Sequence, residues 1–111
     1  DRRAYRGRTP LAIAAMLGRE EAIVLLINKE ADLGTKDHIG DSPLHLASKA
    51  QNYESSGVRY LQIIELLIKS GAEINAKNDE GKTPLDVAAN EIIAKLFRRH
   101  GGKAGEELGV Q

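Results

Sequence analysis

Apolar residues gather along this chain in three aliphatic stretches, Ile23 to Ile27, Ile63 to Ile68 and Ile92 to Phe97. Each follows a short run of small residues: Ala14-Ala15, Ala47-Ser48 and Ala88-Ala89. Small residues followed by large aliphatics predict a pair of helices per segment, the first slim enough for the second to pack closely on it. Aromatic residues are scarce, so the core must be built from Leu, Ile and Ala rather than from the aromatic and β-branched residues that sheets favour.

The polar positions between these stretches repeat as well. Gly7-Arg8-Thr9-Pro10-Leu11, Gly40-Asp41-Ser42-Pro43-Leu44 and Gly81-Lys82-Thr83-Pro84-Leu85 share one pattern, their glycines 33 and 41 residues apart. Thr9, Ser42 and Thr83 suit N-caps, whose hydroxyls accept a bond from an otherwise orphaned helix N–H. The prolines then take the first helical position, where a missing N–H costs nothing. Gly71 and Gly101 suit left-handed C′ positions ending the second helices. Glu30 occupies the same place in the first unit, where a non-glycine residue costs about 1 kcal/mol.

On these residues the chain acquires a resemblance. Ser42-Pro43-Leu44-His45-Leu46-Ala47 and Gly71-Ala72-Glu73-Ile74-Asn75-Ala76 resemble the two most recognisable stretches of the ankyrin repeat, and the likeness recurs over residues 1–102. It implies an all-α solenoid of three helix–turn–helix units with short β-turn fingers, at about 1–35, 36–76 and 77–103, followed by a polar tail over 104–111. It also implies protein recognition through the finger tips and the concave helix face, and a bracing role for His45 between neighbouring turns.

The units differ in ways that carry information. From turn glycine to helix end they span 23, 31 and 20 residues, so the second holds an insertion. The polar stretch at 50–60 predicts a long inter-helix loop, on which Tyr53, Arg59 and Tyr60 are candidate contacts because Tyr and Arg anchor interfaces. Three residues before the helix end, Ile27 and Ile68 give way to Arg98, which marks the third unit as a C-terminal cap. Asp86 in place of the motif histidine agrees with that. At the other end, Val24 stands where later units carry Glu65 and Lys95, which leads us to expect a further unit upstream.

Charge and composition narrow the function. Lys plus Arg and Asp plus Glu each total 16, so no net basic charge points to nucleic acid or to anionic membrane. Apolar runs such as Ala22 to Ile27 and Leu11 to Leu17 are far short of the roughly 20 residues a membrane span needs. Without cysteine there is neither a disulfide nor Cys-ligated zinc, which fits a cytoplasmic setting. None of His38, His45 and His100 stands four residues from another histidine, as a zinc-binding helix requires. Gly101-Gly102-Lys103 fails the phosphate-loop pattern, with Phe97 and Ala104 at its obligatory ends, and reads as a helix stop. No nucleophile stands in a motif with a base and an orienting group, so the expectation is no enzyme and no cofactor or metal.

Candidate contacts then follow from position. The finger tips are Tyr5, Arg6 and Arg8, then His38, Ile39 and Asp41, then Asp79, Glu80 and Lys82. The late positions of the first helices add Met16, Leu17, Lys49 and Asn90. Arg2, Arg3, Arg6 and Arg8 could meet an acidic partner at the first finger. The expected function is a monomeric interaction module or adaptor for another protein. The alternative is a regulatory or targeting segment of a larger enzyme.

Overall fold

A computed structural model describes residues 7–50 and 58–108. Six helices follow one another: α1 (Pro10–Leu17), α2 (Glu20–Asn28), α3 (Pro43–Lys49), α4 (Val58–Lys69), α5 (Glu91–Arg99) and α6 (Gly105–Leu108). No strand occurs among the described residues, so the all-α array is observed. No helix among them is long and apolar enough to cross a membrane.

The predicted punctuation sets the helix ends. Thr9 caps α1 by accepting the Ala12 N–H at 3.2 Å, and Pro10 opens the helix. Ser42 caps α3 in a reciprocal box, accepting the His45 N–H while the His45 ring accepts the Ser42 N–H. Glu30, Gly71 and Gly101 all adopt positive φ, at 64°, 107° and 90°, so all three second helices end alike and only Glu30 does so with a Cβ.

The helices form two rows. α1 packs on α2 and α3 packs on α4 within units, while α1 meets α3 and α2 meets α4 between units. Leu11, Ala14, Ala15, Leu44 and Ala47 of the first row interlock with Ile23, Ile63, Ile64 and Leu67 of the second. α5 closes the array with Ile93, Leu96 and Phe97, spaced three and four residues apart on one helical face.

Three expectations need correction. The first helix of the third unit is reduced to a turn over 84–87, because a unit three residues short leaves too little chain between Pro84 and α5. The Ala89 N–H then bonds the Ser48 carbonyl at 2.9 Å, satisfying one of the orphan carbonyls at the end of α3. The inter-helix loop ends by Val58, so Arg59 and Tyr60 lie on α4 rather than in the loop; Tyr53 falls outside the described residues. Finally, the stretch after Ala104 is not simply a polar tail: it turns into α6, with Gly105 buried against the third finger. A Cβ on Gly105 would sit 2.0 Å from the Gly81 carbonyl oxygen, which leaves room only for glycine there.

Candidate partner-binding surface

Each finger is first an internal brace, and only what the bracing leaves over can meet a partner. In the second finger the Asp37 carboxylate accepts the Ile39 and Asp41 N–H groups at 3.1 and 2.9 Å, an Asx turn that fixes the tip. Asn78 repeats this in the third finger, accepting from Glu80 and Lys82 at 2.9 and 3.0 Å. Sequence reasoning missed both residues, although each stands three positions before a finger glycine, a spacing that signals such a turn.

Bonds between units then join the fingers. Arg8 Nε donates to Asp37 Oδ2 at 3.2 Å, and Asn78 Nδ2 donates to Asp41 Oδ1 at 2.9 Å. Lys49 reaches back from the last turn of α3 to the other Asp41 oxygen. Burial alone would raise the Asp41 carboxyl, but the hydrogen bonds from Lys49 and Asn78 and the Lys49 charge outweigh it and hold the group below the usual carboxylate value. His45 is fully buried, and its Nε2 lies 2.8 Å from the Lys82 carbonyl oxygen. A carbonyl only accepts, so Nε2 carries the proton and Nδ1 is left to accept from Ser42. Burial pushes the imidazole below its ordinary value, opposed by the Lys82 carbonyl and by Asp41. Among the described residues no buried side-chain polar atom lacks a partner.

Two repeats of helical hairpins whose fingers are pinned this way, closed by a shortened third, match one known architecture. A family model described as ankyrin repeats (3 copies) matches residues 1–78. The chain belongs to the ankyrin-repeat family. It is 37% identical over 88 residues to the human neurogenic locus notch homolog protein 1, a match covering 79% of this chain and 3% of that protein. It is 34% identical over 93 residues to the human ankyrin repeat and SOCS box protein 5, covering 83% of this chain and 26% of that protein. Alpha-latrocrustotoxin-Lt1a of Latrodectus tredecimguttatus is 33% identical over 92 residues, covering 82% of this chain and 6% of the toxin. The chain thus spans a small part of the relatives it matches. Ankyrin repeats are protein-interaction modules and, as a class, non-catalytic.

In this ankyrin array the predicted contact residues separate into two groups. His38, Ile39, Asp79, Glu80 and Lys82 stand exposed at the second and third finger tips, with Leu17 exposed at the end of α1 and Arg59 on the first turn of α4. Others serve the scaffold. Asp41 is wholly buried, Lys49 is committed to it, and Arg8 is committed to Asp37. Tyr60 is only 7% exposed, and its hydroxyl donates to the Met16 carbonyl at 3.2 Å, which ties α4 to the half-buried end of α1. Asn90 lies on no first helix; it is the N-cap of α5 and accepts the Ile93 N–H at 2.9 Å. Tyr5 and Arg6 fall outside the described residues. The Gly101-Gly102 pair ends α5, the Gly102 N–H bonding the Phe97 carbonyl at 2.6 Å. No group of acidic or histidine side chains among the described residues is placed to hold a metal ion.

Proposed function

We propose that this array is a scaffold or adaptor module that binds one partner protein through the tips of its second and third fingers. The observation that supports this is Ile39, an isoleucine left 39% exposed at a finger tip while its own N–H is held by Asp37 and its carbonyl by the Asp79 N–H. An exposed apolar side chain on a rigid turn, ringed by charged neighbours, has the composition of an interface centre with its polar rim. Leu17 extends the surface along the helix ends. The reading assigns the chain no catalytic residue and no cofactor.

Site-specific photocrosslinking tests it. A benzoylphenylalanine at Ile39 should give discrete crosslinked species in an extract of the source cells, competed away by excess unmodified array. The same probe at Ile92, which is more exposed but lies on α5, should not. An excess of the Ile39→Glu array should fail to compete. Equal crosslinking from both positions, or competition by the Glu variant as good as by the parent, would remove the finger tips as the binding surface.

A further inference from the structure

We propose that the second and third finger tips together seat a basic side chain, arginine above all, from an extended segment of the partner protein. This deepens the interaction reading above and rests on it. A groove of about 200 Å³ runs between the two tips, lined by His38, Ile39, Asn78, Asp79 and Glu80. Its size decides the kind of occupant. Sites for small molecules run from about 300 Å³ upward, so this groove takes one long side chain rather than a cofactor.

Its walls are fixed in place. The Asp79 N–H donates to the Ile39 carbonyl at 3.1 Å, joining tip to tip through backbone. Gly40 lies so close beneath that a Cβ there would be 2.5 Å from the Asp79 nitrogen, at a φ of +83° that glycine tolerates. Asn78 is committed on both sides of its amide, to Asp41 and to its own turn. The groove is therefore preorganised, and little ordering cost falls on binding.

Its chemistry is one-sided. The Asp79 carboxylate makes no ion pair among the described residues, and Glu80 has only a long 3.9 Å approach from Lys82, with both side chains more than half exposed. Such an exposed pair is worth little and is easily exchanged. Ile39 supplies an apolar wall for the alkyl stem of a long cationic side chain, and the carboxylates receive its head. Arginine fits better than lysine, because its planar fork can bond two carboxylate oxygens at once. An acidic segment would be repelled, and a purely apolar one would bury the carboxylates without partners. At the first finger, by contrast, Arg8 is neutralised by Asp37, so its charge is not on offer to an acidic partner.

The test is an NMR titration of the isotopically labelled chain. The probes are the capped peptide Gly-Arg-Leu-Arg-Gly and a twin with glutamate at both arginine positions. The arginine peptide should shift the amides of Ile39, Asp79 and Glu80 saturably, and the glutamate twin should not. In D79N/E80Q, whose substitutions sit at exposed side chains and leave the backbone bonds intact, affinity should fall about threefold to tenfold. Absence of saturable shifts, equal binding of the glutamate twin, unchanged affinity in the double variant, or shifts centred away from these tips would each overturn the proposal. Crosslinking from Ile39 separates the two readings. If it persists as expected while the arginine peptide fails, only the charge assignment falls; if it fails as well, the finger-tip reading falls with it.

Discussion

His45 donates from Nε2 to the carbonyl of Lys82 at 2.8 Å, joining the buried start of α3 to the third finger across 37 residues of sequence. The equivalent residue one unit on is Asp86, which can only accept. Its carboxylate takes the N–H of Thr83 at 3.0 Å and that of Gly105 at 2.7 Å. The polarity of the joint is thus reversed between the second unit and the third. His45→Ala removes one of the two bonds to the Lys82 carbonyl, which keeps the Asn78 N–H, and leaves the Ser42 N–H without a partner; with the lost packing it should cost about 2–4 kcal/mol. His45→Asp sets a buried carboxylate against a carbonyl oxygen and should cost at least about 1 kcal/mol more than alanine. Urea denaturation followed by circular dichroism would show it; equal losses for the two variants would contradict the donor role.

The same histidine predicts how stability varies with pH. Burial holds its folded-state value below the ordinary 6.5, so between the two values the unfolded chain binds more protons than the folded one. The contribution is complete above about pH 6.5 and is lost as pH falls toward the depressed folded value. Asp41 and Asp86, held below the ordinary 3.8, add a second loss of the same sign in stronger acid. The urea midpoint should therefore drop from pH 7 to pH 5 in the parent chain. His45→Gln should show a lower midpoint throughout with a shallower drop; an unchanged slope would place the titrating group elsewhere.

Glu30 predicts a gain. It holds φ at 64°, the place its two counterparts give to Gly71 and Gly101, and its side chain is exposed. Glu30→Gly removes the Cβ strain and costs some unfolded-state entropy, for a net gain of about 0.5–1 kcal/mol. A denaturation midpoint that stays put or falls would show that the strain is already relieved.

What was legible in the sequence was what neighbouring residues decide among themselves. The caps at Thr9 and Ser42, the opening prolines Pro10 and Pro43 and the left-handed positions each depend on a few adjacent residues, and each is found where it was expected. Exposure was not legible, because it depends on residues from another unit. Asp41 is covered by Asn78, 37 residues away, and Tyr60 is covered by the end of α1, 44 residues away. That is why two candidate contacts are parts of the scaffold. The shortening of the third unit could be counted, but nothing local said that its first helix would absorb the loss.

Packing separates two leucines that look alike in the sequence. Leu67 is wholly buried between the rows, whereas its neighbour Leu66 is half-buried at the edge of the core. Leu67→Ala should cost about 2–5 kcal/mol, a large share of the stability of a domain of this size. Leu66→Ala should cost visibly less, since part of its side chain already meets water. Equal thermal midpoints for the two variants would contradict this placement of the core.

The C-terminal turn is the last joint that can be broken on its own. Thr83 Oγ1 donates to the Lys103 carbonyl at 2.6 Å, and the Asp86 carboxylate holds the Gly105 N–H. Burial would raise the Asp86 carboxyl, but the backbone N–H groups of Thr83 and Gly105 outweigh it and keep the group below the ordinary value. Asp86→Ala leaves those two N–H groups without their acceptor, and it should cost about 1–2 kcal/mol. The loss should be local first, so exchange at the Gly105 amide should rise about tenfold while the amides of α3 slow or quicken only with global stability. Glu107 is the control. Its carboxylate meets Arg98 at 2.8 Å on an exposed surface, and Glu107→Gln should move stability by no more than about 0.5 kcal/mol. Hydrogen exchange on the two variants separates a clasp built on Asp86 from one built on the surface ion pair: if Glu107→Gln frees the Gly105 amide and Asp86→Ala does not, the clasp has been assigned to the wrong residue.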